Sequence, residues 1–284
     1  MKALITVLVV TYNHRNLLAR CLDSILGQKT DFPFQVLIVD DASTDGTSSI
    51  VLEYESRYDN VRAIIRPSNL GVARNIGDAY GEIDTDYFII TEGDDYWTDD
   101  KKLQIQLAAL NSHPECIFCA HKTVVTSVDG VRAGCIGPDI DAPEKVFSFR
   151  RAPFCHTSSR LYRNFLRKLS DSDRHFIWRD TYIHYVALDM GPMVYMNREM
   201  SVYNQTGNGI WTSQGLEKQE ESSRVEAFIV DQHLKFRHTY ELRKRYLPES
   251  PRRVFALTFP FGKKWEIRMS MDRLPVRRCT ETRT

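Results

Sequence analysis

Three carboxylates, Glu92, Asp94 and Asp95, stand within four residues in the stretch Thr91-Glu-Gly-Asp-Asp-Tyr-Trp97, directly after the apolar run 87–90. Acidic side chains this close repel one another unless a cation or a hydrogen-bond donor offsets the repulsion. Gly93 allows a sharp turn, so the flanking carboxylates can face one point. An oxygen-rich set of this kind suits Mg2+ or Mn2+, which bind through one or two carboxylates and complete their shell with water and substrate phosphate. A plain turn is the competing reading, and it suffices for Asp99 and Asp100.

A second acidic pair, Asp40 and Asp41, closes the apolar run 36–39. Capping accounts for Ser43, Thr44 or Asp45 but not for two carboxylates at the end of a strand. An Asp there can accept from a nucleobase N–H or a ribose hydroxyl, and Tyr12, in Thr11-Tyr12-Asn13, can stack or donate. No Gly-x-Gly-x-x-Gly follows the first apolar run, which disfavours a dinucleotide-dependent enzyme.

These groups need a scaffold that brings them to one edge. Continuous β-branched or apolar runs at 4–10, 34–39, 61–65 and 87–90 read as buried strands. Helical spacing marks 15–26, a helix opening at 44–48, then 72–80, and a further helix carrying Leu103, Leu107 and Leu110, capped by Thr98 or Asp99. The alternation predicts an α/β fold with a largely parallel central sheet flanked by helices, whose ligand crevice lies beyond the C-terminal strand ends. After residue 120 the pattern loosens. Residues 124–145 read as loops or a short hairpin, 156–162, 193–196 and 200–203 as strands, a helix starts at Asp180, and 214–245 is mainly helical.

The 38 Lys and Arg nearly balance the 37 Asp and Glu, so the overall charge gives no argument for a nucleic-acid partner. A polymerase reading of Gly-Asp-Asp would need a long basic channel, whereas the basic residues here concentrate beyond Lys235, interleaved with aromatics. That end suits either a solvated helical face or an anionic membrane surface. Six irregularly spaced cysteines read as reduced thiols, and the apolar run at 3–10 is too short to span a bilayer, so a cytoplasmic location is expected. A zinc site from His113, Cys116, Cys119 and His121 is disfavoured by strand alternation.

Together, Val9-Val-Thr-Tyr-Asn13, Val39-Asp-Asp-Ala-Ser-Thr-Asp45, Asn69-Leu-Gly-Val-Ala-Arg-Asn75 and Glu92-Gly-Asp-Asp-Tyr-Trp97 resemble the family 2 glycosyltransferases, inverting enzymes of the GT-A fold. The likeness covers roughly the first 110 residues. It implies that Asp41 contacts uracil, Asp94 ribose and Asp95 the metal, Mn2+ or Mg2+, with Arg74 and Asn75 near the nucleotide. Thr11, Tyr12 and Asn13 complete the expected nucleotide site, and Glu92, Trp97 and Trp211 the substrate contacts. Asp180, in Ile177-Trp-Arg-Asp180, occupies the place of the family's catalytic base, with Arg179 where an acid is frequent; an N-cap is its competing role, and Asp171, Asp173 and Asp189 are competitors for the base. In Tyr203-Asn-Gln-Thr206 the chain has Asn204 and Thr206 where Arg and His are common. His156 and His184 read as structural histidines.

The resemblance implies a GT-A domain over 1–213, with a nucleotide-binding half at 1–112 and an acceptor-binding half at 113–213, followed by a helical, basic extension over 214–284. Its expected partners are a nucleotide-sugar donor, uridine-linked, and a saccharide or lipid-linked glycan acceptor, with peripheral contact to the inner face of the cytoplasmic membrane through the extension. A nucleotidyltransferase acting on a sugar phosphate is the rival, disfavoured because Thr11-Tyr-Asn-His-Arg15 lacks the glycines of a triphosphate loop. A degenerate binding partner of the same fold is the other.

Overall fold

The computed structural model describes residues 2–206, 216–246, 255–258 and 264–267. Its first compact unit is Met1–Arg237 and its second His238–Thr284.

The first unit is built on a mixed sheet. Strands β1 (Ile5–Thr11), β2 (Phe34–Asp40), β3 (Val61–Ile65) and β4 (Tyr87–Glu92) are parallel and lie in the order β3-β2-β1-β4. Every residue of β1 is buried, as its β-branched run requires of a strand covered on both faces. The connections are α1 (Leu18–Leu26), α2 (Thr47–Arg57) and α3 (Val72–Tyr80). Because β2 and β3 lie to one side of β1 and β4 to the other, the topology switches between β1 and β4. A crevice opens at the C-terminal ends of such a pair. The register pairs Thr11 with Asp40 and Val10 with Glu92, so the three strands end level.

Helix α1 starts at Leu18, three residues later than the spacing predicts. Arg15 is held instead in a loop, its N–H donating to Asp45 Oδ2, and the N–H groups of Leu17 and Leu18 both reach His14 O. Leu18, Cys21, Leu22 and Ile25 then form the buried face. Strand β5 (Tyr96–Trp97) precedes α4 (Lys102–Ser112), where Asp99 rather than Thr98 closes the entrance by accepting the Lys101 N–H.

The second half of the sheet continues through β9 (Leu161–Arg163), β6 (Phe118–Thr126) and β10 (Met193–Asn204) to β5, with β7 (Arg132–Ile136) beside β6 and β8 (Glu144–Phe147) beside β10. Strands β6 and β7 are the expected hairpin. Two strands were expected where β10 is one, interrupted by register shifts around Glu199. The polar break in the sequence there is a bulge, with Asn197 held by Pro143 O and Ile140 O. Conversely, 156–160 is no strand but a tight turn over Thr157–Ser159, since His156 and Ser159 bond locally to the backbone.

Helices α5 (Asp171–Phe176), α6 (Asp180–Met190) and α7 (Leu216–His233) complete the unit. The helical stretch expected over 214–245 breaks after α7, where Lys235 and Phe236 adopt positive φ of 56° and 60°. The second unit contains α8 (Thr239–Tyr246) and an antiparallel pair, β11 (Phe255–Thr258) with β12 (Lys264–Ile267). None of the described helices is long and apolar enough to cross a membrane. The residues weighed for zinc do not converge: His113 faces Glu144, Cys119 contacts Gln106, and His121 bonds the Lys122 carbonyl.

Candidate active site

At the β2 side of the crevice, Asp41 is buried and both of its oxygens are occupied by backbone donors, Oδ1 by Leu70 N–H at 2.8 Å and Oδ2 by Gly71 N–H at 3.0 Å. Its own N–H reaches Thr11 O. Asp41 therefore fixes the loop that leads into α3, and each oxygen keeps one further lone pair. Asn13 sits at φ 56° with Oδ1 accepting the Thr44 N–H, which locks the β1 and β2 loops together. Tyr12, 44% exposed, lies at the surface of this rim. Asn75 is buried and accepts from Arg66 Nε at 2.9 Å, whereas Arg74 is exposed and lies 3.9 Å from Asp78. Arg66, not singled out from the sequence, is thus the cation that touches the expected nucleotide motif.

The acidic group stands at the end of β4. Asp95 is 1% exposed; Oδ1 accepts the Asn204 N–H at 3.1 Å, while Oδ2 has no hydrogen-bond partner. Asp94 Oδ1 is likewise buried without a partner, and its Oδ2 lies 3.9 Å from His14 Nε2. Burial, then the charges of Asp94 and Asp180, push Glu92 up to about 8. Burial, then Asp94 and Glu92, hold Asp95 well above the usual carboxylate range. Burial raises Asp94 too, against the opposing influence of His14. Such unpartnered acceptors cost stability unless something positive sits against them. The donor set fits a hard divalent ion that retains water and phosphate in its shell, since two carboxylates offer oxygens there.

Asp180 is the first residue of α6, following Arg179 at the cap. Its Oδ1 accepts the Thr181 N–H at 2.6 Å and the Thr181 hydroxyl at 3.3 Å. The N-cap position falls to Arg179 rather than Asp180, whose Oδ1 bonds only the adjacent residue. The turn is held from two sides. Arg160, fully buried, donates from Nη1 to Asp180 O at 2.6 Å and from Nη2 to Cys155 O, and Arg179 pairs with the buried Glu226 of α7.

Tyr203, on β10, lies within electrostatic reach of all four carboxylates. Its phenol is pushed up by burial and then by the charges of Glu92, Asp95, Asp94 and Asp180 together. Its ring packs tilted against that of His156 with centroids 4.6 Å apart. His156 is pushed down to about 3 by burial and by Arg160, so it is a neutral imidazole at neutral pH.

Trp97, expected among the substrate contacts, is turned into the core instead. It is 5% exposed, with Lys102 Nζ 4.0 Å from its ring centre. Tyr96 and Trp97 pair with Val202 and Ser201, and strand alternation sends the second side chain inward. Trp211 lies outside the described residues. Arg160 and His14 were not singled out from sequence, and Tyr203 only as the opening residue of the stretch 203–206; Arg160 stands in the polar run His156-Thr-Ser-Ser-Arg160, which gives no signal of burial. His184 is buried between Phe118 and Phe154, in keeping with a structural histidine.

Residues 6–169 match the model of Glycosyl transferase family 2. The chain belongs to that family. A relative from Mycobacterium tuberculosis, Rv1520, is 33% identical over 218 residues, covering 73% of this chain and 60% of its own. The chain thus spans less than two thirds of that relative's length. Among solved structures, Staphylococcus aureus TarS 1–349 in complex with UDP-GlcNAc is 18% identical, with a TM-score of 0.57 over 84% of this chain and 73% of that one. The mannosyltransferase PcManGT from Pyrobaculum calidifontis, in complex with GDP-Man and Mn2+, is 17% identical, with a TM-score of 0.51 over 88% and 66%. The two likenesses establish a common GT-A-type fold.

Proposed function

We propose that the protein transfers a sugar from a uridine diphosphate sugar to a hydroxyl of a saccharide or lipid-linked glycan, with inversion at the anomeric carbon. The observation that carries this reading is the acidic turn after β4, beside the β1/β4 switch point, where Asp94 Oδ1 and Asp95 Oδ2 are buried without a partner. Ligand crevices of open α/β sheets lie at such a point.

In this reading Thr11, Tyr12, Asn13, Asp41, Arg74, Asn75 and Asp94 bind the nucleotide, with Asp41 toward the base and Asp94 toward the ribose. Asp95 holds Mn2+ or Mg2+, and Glu92 and Trp211 contact substrate. The ion would neutralise charge developing on the departing diphosphate. Asp180 takes the proton of the attacking hydroxyl as the new glycosidic bond forms and the bond to the diphosphate breaks. The Arg160 contact to the Asp180 carbonyl keeps that carboxylate in position. Support for a nucleotide-sugar donor and an ion also comes from the complexes of TarS with UDP-GlcNAc and of PcManGT with GDP-Man and Mn2+. A nucleotide-binding half at 1–112 and an acceptor-binding half at 113–213 follow from the same reading, as does a role in cell-surface glycan assembly on the cytoplasmic side. The basic residues beyond 235 would then meet an anionic membrane surface.

The test is release of nucleoside diphosphate from a panel of uridine- and guanosine-linked sugars, with Mn2+, with Mg2+ and with a chelator. Metal-dependent release from uridine donors is expected. Thermal stabilisation by uridine diphosphate without any turnover would select a binding-only protein instead, and neither response would remove the reading.

A further inference from the structure

Arg160 is the only buried arginine among the described residues, and its hydrogen-bond partners are neutral. Nη1 donates to the Asp180 carbonyl at 2.6 Å and to the Tyr162 hydroxyl at 3.4 Å, and Nη2 donates to the Cys155 carbonyl. Nε is buried without a partner, and the Phe154 ring centre lies 4.8 Å from Cζ. These bonds seat the guanidinium but supply no opposite charge. A buried cation without one is strongly disfavoured.

The opposite charge stands at Asp180. Burial works against the charged form of Arg160, and Tyr162 and then Asp180 outweigh it. Tyr162 is a neutral phenol, raised further by its own burial, which leaves the Asp180 carboxylate as the anion. Asp180 in turn stands among acids. After burial and the other carboxylates of the acidic turn, its charge adds to the upward push on Glu92 and on Tyr203, and it also acts on the buried phenols of Tyr80 and Tyr162. Arg179, its neighbour in the chain, is engaged by Glu226. The Tyr80 hydroxyl, donating to Ile177 O at 3.3 Å, anchors the same turn without adding charge. Arg160 is therefore the cation set against the carboxylate that must accept a proton.

We infer that Arg160 is a positioning residue that acts through Asp180, its buried charge keeping that carboxylate a proton acceptor among the neighbouring acids. The inference rests on the reading of Asp180 as the base. In the transfer step the acceptor proton passes to Asp180 as the glycosidic bond forms and the bond to the diphosphate breaks, and it then leaves to solvent. Arg160 touches no reacting atom and takes no proton.

The experiment measures kcat and KM with the uridine-linked sugar that the native protein turns over fastest, in Arg160→Gln and Arg160→Lys, each in the native and the Asp180→Asn backgrounds. Arg160→Gln should lower kcat about 10²-fold, with the KM for the donor and the thermal stabilisation by Mn2+ and uridine diphosphate unchanged. Arg160→Lys, which restores a cation, should recover part of the rate. In the Asp180→Asn background the Gln substitution should cost little further, because residues that act as a unit are not additive. A near-native kcat for Arg160→Gln would overturn the inference, as would an equal loss in both backgrounds or a lysine variant no faster than the glutamine one. Each of these leaves the transferase reading standing. Native protein that turns over no uridine-linked donor would remove that reading and the inference with it. Should Arg160→Gln fail to fold, Arg160→Lys in the two backgrounds decides: a loss confined to the background that retains Asp180 supports the inference, and an equal loss overturns it.

Discussion

His175 Nε2 lies 2.8 Å from Asp78 Oδ1, and this contact ties α5 to α3. Gly77 makes the approach possible, since a Cβ there would stand 2.5 Å from the imidazole. Helix α3 bears the expected nucleotide residues and α5 leads into the turn that carries Asp180, so one ion pair joins the two sides of the proposed site. His175 also meets the Asp171 carbonyl and carboxylate, while Arg74 and Arg174 lie against Asp78 and Asp171. Its hydrogen bonds to the Asp171 carbonyl and to Asp78 raise the imidazole above its usual value. A raised histidine stabilises the fold fully below its unfolded value and loses that contribution as pH rises through the folded one. The melting temperature of the native protein should therefore exceed that of His175→Gln most at pH 5.5, with the gap narrowing by pH 8.5. A gap independent of pH would refute an ionic latch.

Glu92 gives a second pH test of the same sign, with the native protein rather than the variant as the less stable form. Its folded value of about 8 lies above the unfolded one, so the folded state binds the extra proton. Stability is then lost as pH rises from the unfolded value through about 8. In metal-free protein, Glu92→Gln should be the more stable form at pH 8.5, by on the order of a few kcal/mol, and should converge with the native protein near pH 4.5. Chemical denaturation in a chelator measures this, and equal slopes with pH for both proteins would exclude the carboxylate crowding described.

Asp180→Asn should lower sugar transfer by about 10²–10⁴. Thermal stabilisation by Mn2+ and uridine diphosphate should persist, because the carboxylate is not among the expected nucleotide or metal contacts. The Asn side-chain oxygen can still accept the Thr181 N–H, so the helix start survives. Near-native turnover would reassign the base.

Gly93 approaches its neighbours too closely for any side chain. A Cβ there would lie 2.8 Å from Thr11 Oγ1 and 2.9 Å from His14 Nδ1. Gly93→Ala should cost about 1–3 kcal/mol of stability and weaken binding of Mn2+ and uridine diphosphate, by displacing Asp94 and Asp95. Calorimetry with Mn2+ and uridine diphosphate would check the second part, and unaltered binding would argue that the turn can relax.

The parallel half of the sheet was legible because its strands announce themselves. β1 to β4 are runs dominated by apolar residues, and acidic or hydroxyl residues stand at the ends of three of them, at Thr11, Asp40 and Glu92. Chain order and strand ends were enough to bring Asp41, Asp94 and Asp95 to one rim. The other wall was harder to read. His156, Arg160 and Tyr203 meet there only through the packing of β4, β6, β9 and β10, and each is far along the chain from the acidic turn. Trp97 illustrates the reverse error: an aromatic beside an acidic motif looks like a substrate platform until the two-residue strand β5 pairs with β10 and carries it inward. The histidine at 156 carries no sequence signal of its neighbourhood, since apart from Ser158 the groups beside it, Tyr203 and Asp95, are distant in the chain.

The contact of Arg179 with Glu226 has an architectural consequence. The residues matched to the family end at 169, before Asp180, and the helix that grips the turn bearing it lies later still. In the proposed reading the donor-binding residues therefore lie within the matched stretch, whereas the aim of Asp180 depends on segments that follow it.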